Sequence, residues 1–115
     1  MKLGDAQREF ARDVADLIDF IYESGYECTL GDAYRDPRSH GEMNEKKAYG
    51  RAKSAHKQRL AIDLNLFLDG VYLRDTRAHK PFGEFWEGLH KDHRWGGHFT
   101  KPDGNHYARR HWGIS

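Results

Sequence analysis

The sequence predicts an α+β domain, residues 1–115, in which a small, mainly antiparallel sheet is flanked by two helices. Apolar residues recur at helical spacing over about residues 5–24, which indicates an amphipathic helix. Apolar and polar residues alternate over Leu60–Phe67, as in a strand with one buried face. The tight-turn dipeptide Asp69-Gly70 then leads into Val71–Leu73, which completes a predicted hairpin. A chain of 115 residues is long enough for one such domain and too short for two ordinary ones.

The other elements are predicted from the same signals. Gly25 marks the end of the first helix, and alternating residues predict a strand over Glu27–Tyr34. A second helix is expected just after Pro81, and a short strand over His106–Arg109. Segment 36–59 is polar and too long for a passive turn, so we expect a functional loop. The apolar stripes of the two helices consist of Phe10, Val14, Leu17, Ile18 and Ile21, and of Phe82, Phe85, Trp86 and Leu89.

Composition excludes several classes of protein. The single cysteine, Cys28, rules out an internal disulfide framework and is expected to be a small buried hydrophobe in a reducing compartment. Acidic residues interrupt every apolar stretch, so we expect no insertion into a membrane. The first residues lack the apolar region of a signal peptide, which predicts synthesis in the cytoplasm without a signal peptide. We expect a monomer.

Charge is unevenly distributed along the chain, although the formal net charge is only +1. Residues 1–33 contain three basic and eight acidic residues, whereas residues 34–59 contain eight basic and three acidic ones. The basic segment favours an anionic partner, such as a polycarboxylate, a cell-wall polymer or nucleic acid. A solvated loop rich in lysine fits the same charge pattern.

Asp63 and two of the eight histidines suggest a metal site in a cleft on the sheet. Asp63 lies within an aliphatic strand, where a carboxylate without a partner would be costly to bury. His56 precedes it by seven residues, so the two side chains can converge only if His56 belongs to the loop before the strand. His106 is the best third ligand of a catalytic zinc ion, and Asp103 could accept a proton from water. The alternative is two surface histidines and an ion pair of Asp63 with Arg35 or Arg59.

Two sequence motifs resemble those of a known peptidase family. Ser54–Asp63 is similar to the signature Ser-x-His-x-x-Gly-x-Ala-x-Asp, and Asp103–Tyr107 to Asp-x-x-His followed by an aromatic residue. Both are typical of the D-alanyl-D-alanine carboxypeptidase/L-alanyl-D-glutamate peptidase family, zinc peptidases of bacterial cell-wall stem peptides that include phage endolysins. The resemblance covers about residues 28–108, with further similar stretches at Leu30–Arg35, Asp63–Phe67, Gly83–Trp86 and Arg94–Gly97.

The resemblance implies a role for each matched residue. It makes His56, Asp63 and His106 the zinc ligands, and Asp103 the general base and then the general acid. Arg35 would bind a substrate carboxylate or stabilise the oxyanion, and Ser54 would shape the substrate site. Without the resemblance, Arg35 fits a structural ion pair and Ser54 a turn hydroxyl.

The function implied is zinc-dependent hydrolysis of an amide bond in the peptidoglycan stem peptide. The phage members favour an L-Ala–D-Glu endopeptidase, and a D-Ala–D-Ala carboxypeptidase remains the alternative. Loop 36–59 would hold the acidic stem peptide and could close over it. The protein would reach the wall after host-cell lysis or through a pore, and no nucleic-acid partner is expected.

Two positions depart from the family pattern. The signature glycine is Arg59 here, so either the loop needs no glycine or the Arg59 side chain points to solvent. His98 replaces a residue that is usually acidic in the phage members, and we expect it to be exposed. The Trp95-Gly96-Gly97 turn is expected at the rim of the cleft, with glycines that allow close backbone approach.

Other interpretations concern the remaining histidines. His40, His79 and His90 show no paired spacing and are expected on the surface. The order Asp92-His93, Asn105, His111 loosely resembles ββα-metal nucleases, although no helix follows to carry the last histidine. A wall-binding module without turnover is a further alternative, which the intact Asp103 disfavours.

Overall fold

The computed structural model describes residues 1–47 and 51–115 of the chain. Among these residues, the structure has three α-helices. Two of them were predicted from the sequence, and the additional one is a single turn in the polar loop. Three short 3-10 helices occupy Ala55–Gln58, Thr76–His79 and Gly96–His98. The helices and strands, in chain order, are α1 (Leu3–Glu23), β1 (Glu27–Leu30), α2 (Pro37–His40), β2 (Ala61–Leu68), β3 (Val71–Leu73), α3 (Lys80–Leu89), β4 (His93–Trp95) and β5 (His106–Arg109).

The five strands form one antiparallel sheet, which confirms the predicted α+β class. The strand order is β1-β2-β5-β4, and β3 pairs with the far end of β2 as the returning strand of the hairpin. The register places Asp63 on β2 opposite His106 on β5, and Trp95 on β4 opposite Tyr107. Strand β4 was not predicted, because three residues are too few for alternation to be recognised.

The hydrophobic core lies on one face of the sheet, between the sheet and the two long helices. Ile62, Leu64 and Leu66 of β2 belong to this core, together with Phe10 of α1 and Trp86 of α3. Because successive side chains of a strand point to opposite faces, Asp63 projects from the face of the sheet away from α1. The core therefore leaves that second face available for a polar site.

Two of the buried histidines, His79 and His93, pack against aromatic residues of the core. His79, expected on the surface, is only 3% exposed, and its Nδ1 lies at a hydrogen-bond distance of 2.7 Å from the Tyr107 hydroxyl oxygen. His93 stacks on the Trp86 ring at 3.8 Å, and its Nδ1 donates to the Trp86 carbonyl. Burial lowers the pKa of both imidazoles to about 4. His40 and His90, also expected on the surface, are half-buried, as is Cys28.

A buried arginine joins β5 to α1. Arg109 is 2% exposed and forms ion pairs with Glu9 at 2.9 Å and Asp13 at 3.0 Å. Its Nη2 also lies 3.3 Å from His93 Nε2, which suits a neutral imidazole that accepts a hydrogen bond. This network ties α1 to the last strand of the sheet.

The buried His79 predicts a loss of stability in mild acid. Its pKa is about 4 in the folded protein and 6.5 ordinarily, so the unfolded chain binds a proton more readily. The contribution of neutral His79 to the free energy of unfolding is therefore complete above about pH 6.5 and is lost as the pH falls toward about 4. Within this range the free energy of unfolding falls by up to about 1.4 kcal/mol per pH unit. We expect His79→Asn, which keeps an acceptor for Tyr107, to flatten this slope.

The measurement is the free energy of unfolding by denaturant between pH 4 and pH 7, for wild type and His79→Asn in parallel. The difference between the two proteins isolates His79, because every other titrating group is shared. Parallel pH profiles would show that His79 does not titrate on unfolding.

The helices among the described residues are too short or too polar to span a membrane.

Candidate metal centre

Three side chains with metal-ligating atoms meet on the face of the sheet away from α1. One ligand atom each of His56, Asp63 and His106 lies within 4.8 Å of the other two. Asp63 Oδ1 lies between the imidazoles, 3.2 Å from His56 Nε2 and 3.5 Å from His106 Nδ1. Within the part of the chain that the structure describes, this is the one such group.

The fold explains why residues distant in sequence converge here. The antiparallel pairing of β2 with β5 places Asp63 directly opposite His106. His56 belongs to the 3-10 helix that precedes β2, so it lies outside the strand, as its odd spacing from Asp63 requires. The structure thus brings together the three ligands proposed from the sequence.

Two hydrogen bonds position His56, one at its backbone and one at its ring. Ser54 caps the 3-10 helix, and its Oγ accepts a hydrogen bond of 3.2 Å from the His56 backbone N–H. The ring Nδ1 lies 2.9 Å from the carbonyl oxygen of Ala33, to which it can donate. With its proton on Nδ1, the ring directs the Nε2 lone pair toward Asp63, as second-shell hydrogen bonds do in metal sites.

The atoms around this point fit a divalent cation. In the described residues, His56 Nε2 and Asp63 Oδ1 are buried without a hydrogen-bond partner, which is unfavourable unless a ligand satisfies them. Bonds of about 2.0–2.1 Å in a tetrahedral site place ligand atoms about 3.3–3.4 Å apart. The contacts of 3.2 and 3.5 Å match that spacing.

The electrostatics of Asp63 also suit a metal ligand. Burial by itself would raise the pKa of this carboxyl group. The neighbouring imidazoles of His106 and His56 outweigh burial and lower the pKa to about 2. Asp63 is therefore an anion at neutral pH, the form in which a carboxylate binds a metal.

The two imidazoles open into a pocket of about 180 Å³, which is also lined by Arg35, Arg51, Phe99 and Asp103. Asp103 is exposed at its rim. The backbone holds Asp103 in place, because its N–H donates to the Gly96 carbonyl and its carbonyl accepts from the His106 N–H. The predicted general base and two predicted ligands thus line the same pocket.

Gly96 is required for this backbone arrangement. A Cβ atom at this position would lie 2.2 Å from the Asp103 carbonyl oxygen, so no larger residue fits without displacing the loop. Trp95, expected at the rim of the cleft, is buried instead, and its Nε1 donates to the Gly104 carbonyl at 2.7 Å. It packs beneath the loop that carries Asp103.

Arg35 forms the structural ion pair considered from the sequence and also lies at the pocket. Its Nε lies 3.4 Å from Asp32 Oδ2 in an ion pair, and its Nη1 donates to Ser54 Oγ at 3.0 Å. It also lines the pocket beside His56. Ser54 therefore holds both the His56 helix and the Arg35 guanidinium group.

The position of the signature glycine keeps a glycine-like conformation. Arg59 ends the 3-10 helix with φ 58° and ψ 34°, in the left-handed region, so the idea that this loop needs no glycine is wrong. Its side chain is exposed, as the second option proposed, and its guanidinium group lies 4.3 Å from the centre of the Tyr34 ring. Asp63 thus contacts two imidazoles rather than Arg59, whose guanidinium group stacks on the Tyr34 ring.

The expectation for His98 is confirmed: the side chain is 59% exposed and lies 3.2 Å from Glu87 Oε1. The nuclease interpretation does not fit, because His93 is buried against Trp86 and contacts Arg109. His111 pairs with Ile114 in an isolated β-bridge rather than on a helix.

Sequence reasoning missed Phe99, whose ring centre lies 5.3 Å from that of His106, and did not single out Arg51. One aromatic residue in a polar turn and one arginine in a basic segment give no signal that separates them from their neighbours.

The fold and the site define a class of protein: an α+β domain with a His-Asp-His set in a pocket and an acidic residue at its rim, as in metal-dependent hydrolases. The sequence model of the D-alanyl-D-alanine carboxypeptidase family matches residues 48–109, which include all four of these residues. The match covers 62 of the 115 residues, and the chain belongs to this family of metallopeptidases. No curated protein matches the chain.

Proposed function

We propose that this protein is a zinc peptidase that hydrolyses the L-Ala–D-Glu bond of the peptidoglycan stem peptide. The observation that carries the proposal is the convergence of His56, Asp63 and His106 beside the pocket that the two imidazoles line together with Asp103 and Arg35. The family supports peptidase chemistry. The choice of bond is supported by the phage endolysins within the family whose two motifs this sequence resembles.

His56, Asp63 and His106 would hold the zinc ion through two nitrogen atoms and one oxygen atom, a ligand set that zinc accepts. Three protein ligands leave the fourth position of a tetrahedral site open. When bound there, zinc acts as a Lewis acid toward a carbonyl group and makes water a nucleophile at neutral pH.

Asp103 would move the protons of the reaction. Its exposed carboxylate at the rim can accept a proton from the attacking water and then donate it to the leaving amine. The short backbone connection between Asp103 and His106 keeps the base at a constant position relative to the metal ligands.

Arg35 would bind and orient the substrate. Its side chain is 13% exposed, and Asp32 and Ser54 hold the guanidinium group in a fixed position beside the pocket. Such a cation can pair with a substrate carboxylate or stabilise negative charge on the carbonyl oxygen in the transition state.

Loop 36–59 would contribute to binding of the acidic stem peptide. Positions 48–50 of this loop lie outside the described residues. Elsewhere in the loop, Lys57 Nζ donates to the carbonyl groups of Glu42 and Ala52, which ties distant parts of the loop together. Closure of the loop over the substrate remains a prediction.

The test is digestion of purified peptidoglycan, with mass spectrometry of the released fragments. An L-Ala–D-Glu endopeptidase releases stem peptides that begin with D-Glu, and EDTA prevents their release. Release of D-alanine alone would instead support a D-Ala–D-Ala carboxypeptidase, the alternative that the description of the family favours.

A plasmid-nicking assay in the same buffer serves as the control for the nuclease interpretation. Nicking without release of peptide fragments would overturn the proposed function. Binding to the wall with no fragment released would show a wall-binding module.

A further inference from the structure

The pocket at the metal centre is one end of a longer cleft. Arg51 and Phe99 line that pocket, and both also line a second pocket of about 620 Å³ with His98, Thr100 and Lys101. Because the two pockets share these walls, a peptide bound at the metal centre can extend past Phe99 toward Lys101.

A series of ring contacts connects the metal centre to Arg51. The Phe99 ring centre lies 5.3 Å from that of His106. The guanidinium carbon of Arg51 lies 5.7 Å from the centre of the same Phe99 ring, within the range of a cation–π contact. The Phe99 ring thus contacts both Arg51 and His106.

Three other cations of the basic segment have partners outside this cleft. Arg38 pairs with Asp36 on the surface, Lys57 binds backbone carbonyl groups, and Arg59 stacks on Tyr34. Arg51, in contrast, lines both parts of the cleft, and Lys101 lines its outer part. Arg51 and Lys101, which are 50 positions apart in the sequence, thus add positive charge to the cleft beyond Arg35.

We propose that Arg51 and Lys101 form a second anion subsite, which makes the enzyme selective for peptides with a free carboxylate next to the bond that is cut. This inference rests on the proposed function and specifies its substrate class. In a stem peptide that continues through the γ-carboxyl group of D-Glu, the α-carboxylate of D-Glu is such a group. Conversion of that carboxylate to a carboxamide removes the charge without a large change in shape.

The test measures hydrolysis of two L-Ala–γ-D-Glu–L-Lys peptides by the zinc-loaded enzyme. One peptide has a free α-carboxylate on D-Glu, and the other has an α-carboxamide at the same position. We expect kcat/KM of wild type to be about tenfold higher for the carboxylate, a factor typical of one or two charge-assisted contacts in a partly exposed site. Arg51→Glu and Lys101→Glu should each reduce this preference, and the double variant should remove it. The effect should lie in KM, since the carboxylate takes no part in the reaction and we expect its contacts to be the same in the ground state and the transition state.

The control variant is Arg12→Glu, which reverses an exposed arginine of α1 on the opposite side of the sheet. It should leave the kinetics of both peptides unchanged. Arg51→Gln provides a milder change, and thermal unfolding verifies that each variant is folded.

Equal turnover of the two peptides by wild type would overturn the subsite and leave the proposed function intact. An equal loss for both peptides in Arg51→Glu would also overturn it, because that result would show a role in catalysis or folding rather than in recognition of charge. No turnover of either peptide by zinc-loaded wild type would overturn the proposed function and the subsite with it.

Discussion

We expect His106→Ala to abolish both zinc binding and turnover, because it removes one of three converging side chains. His56 and Asp63 alone would form a two-ligand site with two open positions. We expect the affinity for zinc to fall by more than about 100-fold, because loss of a direct ligand costs more than loss of a second-shell partner. The backbone pairing of position 106 with Asp63 does not depend on the side chain, so the sheet should persist. Zinc content after dialysis and release of stem-peptide fragments are the two measurements.

His90→Ala is the matched control for this prediction. His90 lies at the C-terminal end of α3, where its ring accepts a hydrogen bond from the Asp92 N–H, away from the metal ligands. This variant should retain stoichiometric zinc and wild-type turnover. If His106→Ala also retained either of them, the assignment of His106 as a ligand would be wrong.

We expect Asp103→Asn to retain zinc and to lose turnover by a factor of about 10²–10⁴, the range typical of a removed general acid–base group. Asparagine has nearly the shape of aspartate but cannot accept the proton of the attacking water. The backbone hydrogen bonds that connect position 103 to Gly96 and His106 are unaffected by the change. The measurements are zinc content and kcat on the same stem-peptide substrate.

Asp69→Asn, in the exposed turn of the β2–β3 hairpin, is the corresponding control. Asp69 has a φ of 51°, a conformation that asparagine also tolerates, so neither stability nor kcat should change. Full activity of Asp103→Asn would assign the proton transfer to another group. Loss of zinc in that variant would instead make Asp103 a ligand.

Most of the secondary structure could be predicted from local patterns. The stripe that includes Phe10 and Leu17 predicts α1, and the alternation over Leu60–Phe67 predicts β2 within one residue. The short strand His106–Arg109 was predicted with its observed bounds. The short elements α2 and β4 were not predicted, because three or four residues carry too little periodicity.

The buried charges could not be predicted in this way. Arg109 pairs with Glu9 and Asp13, which precede it by 100 and 96 residues, and nothing in the local sequence of any of them indicates the others. His79 and His93 were expected on the surface or assigned to another site because a lone histidine carries no periodicity. Their burial follows from packing against Tyr107 and Trp86.

By itself, the sequence determined most of the helices and strands, the α+β class, and the residues whose chemistry suits a metallopeptidase, because periodicity and motif spacing are local properties. Only the tertiary structure decided that His56, Asp63 and His106 share one centre, that Arg59 adopts the conformation of a glycine, and that Arg51 faces the cleft. These features depend on strand register and on packing between distant segments. Such interactions arise once the chain has folded and leave no periodic trace in the order of its residues.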